Sequence, residues 1–184
     1  MNIVLSFVPF IAFALLSGQI GEVAALLVAA LISAALVVRG IIAGESPKIL
    51  ELGSLVLFAG LAAWCWLASA GLSPVAAKLA VDAGLFAIVL ISTAIGRPFT
   101  LQYAREQVSP EYWNSPRFLH VNQIITGVWA LNFLAGVAMD VATMLRPAIP
   151  TAVHVAVVVI ALLAAIKFTQ WYPKKVAASR ATAA

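Results

Sequence analysis

Charge is scarce in this chain. Only 10% of its 184 residues are Asp, Glu, Lys or Arg, against roughly 25% in a typical soluble domain. Cysteine is scarcer still: Cys65 stands alone between Trp64 and Trp66 in an apolar run. An intrachain disulfide and a multi-cysteine metal site are therefore excluded, and Cys65 reads as a small buried hydrophobe. Histidine is limited to His120 and His154. There is no HExxH, CxxC or glycine-rich phosphate loop. No hydroxyl stands out as an activated nucleophile. These absences leave no catalytic residue, metal or cofactor to assign. The net charge is +4 and the pI about 9.6, but the basic residues form no compact face, so nucleic acid is not an expected partner.

What the chain has is apolar length. Hydrophobic residues make up 64% of it, with a mean hydropathy of +1.06. Six apolar segments follow one another: 3–17, 23–42, 49–70, 75–95, 119–139 and 151–168. A helix needs about 20 residues to cross a roughly 30 Å hydrocarbon core, so all but the first are long enough. The first lacks the basic start of a signal peptide. It reads as a retained short helix disturbed by Pro9. The expectation is an all-α membrane protein, six transmembrane helices arranged as three hairpins. One membrane domain covers residues 1–175, and a disordered tail covers 176–184.

Loop charge orients the six segments. With the N-terminus inside, the inner segments carry Arg39, Lys48, Arg97, Arg105, Arg117, Lys167, Lys174, Lys175 and Arg180. That is nine of the eleven basic residues, leaving only Lys78 and Arg146 outside. The positive-inside rule then predicts cytoplasmic N- and C-termini. His120 and His154 fall roughly 25–30 Å apart in this topology, too far to share a haem or a metal ion. Lys78 is expected to pair with Asp82, and Arg146 with Asp140. Between the ends the spans look dry, with Ser33, Ser92 and Thr93 as exceptions. Gly21, Ala25, Ala29 and Ser33 recur every fourth residue, a small stripe suited to close packing within the chain.

The polarity concentrates between Gly96 and Asn132. Gly96-Arg97-Pro98 marks a helix end. Gln102, Arg105 and Glu106 share a helical face. The stretch Phe99–Val108 predicts a short helix, either lying in the interface or folded back beneath the bundle. Ser109-Pro110 suggests a restart, and Tyr112 and Trp113 suit the headgroup region. Tyr103, Arg105, Glu106, Tyr112 and Trp113 form a candidate interaction surface. On the fifth span Asn122, Thr126 and Trp129 fall on one face beside Gln123. With Arg97 they form a candidate inner-facing polar pocket. The alternative is that these groups hydrogen-bond between helices.

The layout resembles a known family. A short first helix contains Phe7-Val8-Pro9-Phe10. A proline opens the loop after the fourth segment, Arg97-Pro98-Phe99. The loop runs through Val108-Ser109-Pro110-Glu111-Tyr112-Trp113 to Asn122 and Trp129-Ala130. A basic tail follows a last helix that contains Lys167. Together these resemble the bacterial intracellular septation protein A family of the inner membrane. The Gly96-Arg97 pair departs from that family's lysine, and its helices carry more aromatic and basic residues. The resemblance implies a role in cell-envelope maintenance and division through membrane-protein partners. It brings no catalytic residues. Two other readings stay open: a small transporter or lipid-handling protein using the pocket, and a membrane-embedded enzyme acting on a lipid or quinone.

Overall fold

The computed structural model describes residues 3–68 and 72–181. Among the described residues every regular element is helical. A 3-10 turn, Ile3–Phe7, leads into α1 (Val8–Ile20). Then come α2 (Glu22–Ile42), α3 (Ile49–Leu67), α4 (Pro74–Ala94) and α5 (Phe99–Arg105). A 3-10 turn at Pro110–Tyr112 precedes α6 (Pro116–Leu145) and α7 (Thr151–Ala181). Among the described residues six helices are long and apolar enough to cross a membrane, counting Ile3–Ile20 as one. Pro9 falls at the junction between the 3-10 turn and α1, where its missing N–H costs nothing.

Local chemistry sets the ends. Ser-Pro pairs open two of the long helices. Ser73 Oγ accepts from Ala76 N at 3.3 Å, ahead of Pro74. Ser115 Oγ accepts from Phe118 N at 3.3 Å, ahead of Pro116. The serine satisfies one orphan amide and the proline has none to satisfy. α2 closes on Gly44 at φ 71°, with Glu45 N bonded to Gly40 O (2.9 Å) and Gly44 N to Ile41 O (3.0 Å). That is a left-handed glycine cap, which a side chain would strain. Gly96, also at φ 71°, ends α4 in the same way just before Pro98.

The chain packs as two compact units, residues 1–92 and 93–184. In the first, α2 packs against both α1 and α3. Phe58 of α3 meets Phe10 at 5.0 Å and Phe13 at 6.0 Å, in a core completed by Ala25, Leu26, Ala29 and Ala62. Ala25, Ala29 and Ser33 are fully buried, so the small-residue stripe of α2 is spent on internal packing. Cys65 is buried and free. Gly84 of α4 lies against the Leu57 side chain, and Gly53 of α3 against Ile88.

In the second unit α6 packs against α7 and carries α5 on its side. Asp140 meets His154, and Trp129 meets Thr169. As numbers fall along α6 they rise along α7, so the two run antiparallel. Many large apolar side chains are open, among them Leu31, Val56, Trp66 and Ile160. In water such exposure would mark an interface; on spans of this length it is the surface that lipid covers.

Several boundaries differ from the expected segments: the first helix reaches Ile20 and α6 reaches Leu145, and two further shifts have a local cause. α6 begins at Pro116, not 119, because Ser115 caps it there. α7 runs to Ala181, so residues 176–181 of the expected disordered tail are helical. The alanine-rich Val-Ala-Ala-Ser-Arg-Ala stretch has the propensity for that. Residues 182–184 of that tail lie outside the described residues.

Candidate functional site

The polar island is built by α5, the turn after it, and the first half of α6. Thr100 of α5 joins the helices: its Oγ1 donates to the Asn122 carbonyl at 3.1 Å and lies 2.7 Å from Thr126 Oγ1. Since the single Thr100 proton goes to Asn122, Thr126 is the donor of the second bond. Asn122 Nδ2 donates to Phe118 O at 2.8 Å. Below this, Trp129 Nε1 donates to Thr169 Oγ1 of α7 at 3.0 Å, and Thr169 donates to Ala165 O. Phe99 stands edge-on to Trp129 at 6.3 Å. Asn122, Thr126 and Trp129 are all buried.

The five residues of the expected polar pocket do not come together. Asn122 and Thr126 face α5, and Trp129 faces α7. Arg97 and Gln123 are exposed. Interhelical hydrogen bonding, the alternative in the sequence, describes Thr126 and Trp129; the Asn122 side chain bonds within α6, and only its carbonyl accepts from α5.

The expected interaction surface also changes. Tyr103 is only 4% exposed and packs edge-on against Phe99 at 6.4 Å, so it belongs to the core. α5 buries Phe99, Thr100, Leu101 and Tyr103 in its seven residues. These side chains pack α5 against α6. Arg105 lies over the Trp113 ring, 5.4 Å from its centroid, a cation–π contact. Trp113 Nε1 is fixed by Val108 O at 2.8 Å. Ser109 and Pro110 do start a new element, a single 3-10 turn without a side-chain cap bond. Glu106 and Tyr112 are exposed beside it.

Two buried polar sites differ from what the sequence predicts. Glu51, 2% exposed, accepts from Ser6 Oγ at 3.0 Å. The N-terminal ends of the first span and of α3 therefore lie side by side. Lys48, 3% exposed, bonds Glu45 at 3.0 Å nearby. A usable signal existed: Glu51, Ser54, Phe58, Ala62 and Cys65 recur at helical spacing, and all are buried. The second site is Asp140, whose Oδ1 is 3.5 Å from His154 Nε2, both buried. It replaces the expected Asp140–Arg146 pair; Arg146 instead closes α6 and is exposed. One helical turn separates Lys78 from Asp82 on α4, as expected, and both are half-buried. Among the described residues no three His, Cys, Asp or Glu side chains gather as a metal site.

Six long apolar helices, lipid-type exposed surface and buried polar contacts between helices define the class: an all-helical, multi-pass membrane protein. Beyond the class, no family model, curated protein or solved structure matches the chain.

Proposed function

We propose that the chain is a non-enzymatic protein of the bacterial inner membrane, serving cell-envelope maintenance or division. It acts through contacts of its cytoplasmic 96–118 segment with membrane proteins or lipid headgroups. One observation carries the reading. Buried Thr100, Thr126 and Trp129 of the island hold α5 and α7 to α6, while Arg97, Glu106 and Tyr112 stay exposed, the last two next in sequence to the Arg105–Trp113 stack. Such a division of labour suits a contact surface better than a reaction site or a transport pocket. The process is taken from the resemblance to the septation proteins. Basic-residue placement supports cytoplasmic termini and three hairpins, and the stack and Tyr112 then lie on the cytoplasmic side.

The experiment replaces Glu106, Tyr112 and Trp113 together by alanine and carries a photo-crosslinking residue at Gln107. Membrane insertion is checked by fractionation. The expected outcome is loss of protein crosslinks and an envelope or division defect at normal insertion. Unchanged crosslinks and normal division would overturn the proposal.

A further inference from the structure

The stretch of α7 from Ala164 to Lys174 carries a face that the proposed function does not use. A shallow groove there is lined by Ala164, Lys167, Phe168, Gln170, Trp171 and Lys174. At 100° per residue, Lys167, Trp171 and Lys174 fall within roughly 60° of one another on the helix. Trp171 is 51% exposed, and both lysines are exposed. Lys175 lies over the Trp171 ring at 4.7 Å, and Phe168 stacks on Tyr172 at 5.0 Å. Only 11% of the apolar window of α7 is buried, against 44% for α2, so this helix is the least covered of the six.

Length places this face in depth. α7 has 31 residues, about 46 Å at 1.5 Å each, well over a roughly 30 Å hydrocarbon core. Counting twenty residues from Thr151 ends at Gln170. Trp171 and Tyr172 then stand at the aromatic belt, with Lys174 and Lys175 just outside it. Lys167 lies one turn deeper. An ammonium at that depth is costly without a counter-charge, and its stem lets it reach up to the interface. Two ammonium groups thus converge at the level of Trp171. Among the described residues neither Lys167 nor Lys174 has an ion pair.

We infer that this face is a binding site for one anionic phospholipid. The phosphate sits between Lys167 and Lys174, and an acyl chain runs down the groove past Phe168 and Ala164. The charge complementarity is with a lipid headgroup, because the groove below the lysines is apolar and lies within the hydrocarbon layer. The inference requires membrane residence and is independent of the envelope role and of which leaflet the face meets.

The test reconstitutes the full chain in vesicles of equal parts phosphatidylcholine and phosphatidylglycerol. Lipid retained on mild extraction is then counted by native mass spectrometry. The wild-type chain is expected to keep phosphatidylglycerol preferentially. Lys167→Gln with Lys174→Gln is expected to lower that preference on the order of ten- to thirty-fold, near a factor of five per lysine. Lys167→Arg with Lys174→Arg should retain most of it, and Arg146→Gln should leave it unchanged. Equal retention of the two lipids by wild type, or an unchanged preference in the double glutamine variant, would overturn the site. So would a dimer sealed through this face, shown by crosslinking at Gln170.

Discussion

Three hydroxyls and an indole organise the second unit at the scale of single residues. Thr126 donates to Thr100, Thr100 to the Asn122 carbonyl, and Trp129 to Thr169. Bonds of this kind between membrane helices are worth about 0.6 kcal/mol each on average. Thr100→Val removes two of them and Thr126→Val only one, with side-chain volume nearly kept. Unfolding in detergent is therefore expected to show a loss of about 1 kcal/mol for Thr100→Val and about half that for Thr126→Val. Equal losses would mean the Asn122 bond contributes nothing. The polar types were legible in the sequence, and so was the choice between cavity and helix bonding. Which one holds was not, because it depends on where α5 lies, and nothing in the sequence singles out Thr100. Glu51 was missed for a related reason: at the start of a span an acid looks like an interfacial residue. Its partner, Ser6, is 45 positions away.

At the scale of elements, the six apolar runs predicted the long helices well, since only a helix or a closed barrel satisfies the backbone in lipid. The misplaced ends had local causes. Ser115 and Pro116 opened α6 early, and an alanine-rich stretch extended α7. Helix pairing is harder to read, because lipid-facing and partner-facing surfaces are equally apolar. The contact of α3 with α4 shows what decides it. A Cβ added at Gly84 would overlap the Leu57 side chain, and one at Gly53 would come within 2.9 Å of Ile88. Gly84→Ala gains helix propensity, but overpacking commonly costs about 1–3 kcal/mol. The expected result is net destabilisation in the wild-type background and a neutral or favourable effect in the Leu57→Ala background. A double-mutant cycle checks this. Equal effects in both backgrounds would show that Leu57 moves aside without cost.

At the scale of the whole molecule, composition alone does not announce two compact units, since the polar stretch that opens at Gly96, just past the boundary, reads equally as a loop within one bundle. Charge does organise both. In the first unit the N-terminal ends of the first span and of α3 lie together through Ser6 and Glu51. Arg39 and Lys48 flank the adjoining α2–α3 turn. In the second unit the start of α6 and the end of the antiparallel α7 share a side. Arg117 stands at that end, as do Lys174 and Lys175. Each unit thus gathers most of its basic residues at one end, as a positive-inside orientation requires. This yields a test of sidedness. Cys65 is buried, so a single cysteine introduced at an exposed site gives the readable signal. Arg146→Cys, in the α6–α7 turn, should react with a membrane-impermeant maleimide added to intact cells. Glu111→Cys, in the 96–118 segment, should react only after the membrane is opened. The reverse pattern would invert the orientation and remove the 96–118 segment from the cytoplasm. Labelling of both sites from outside would mean that α6 does not cross the bilayer.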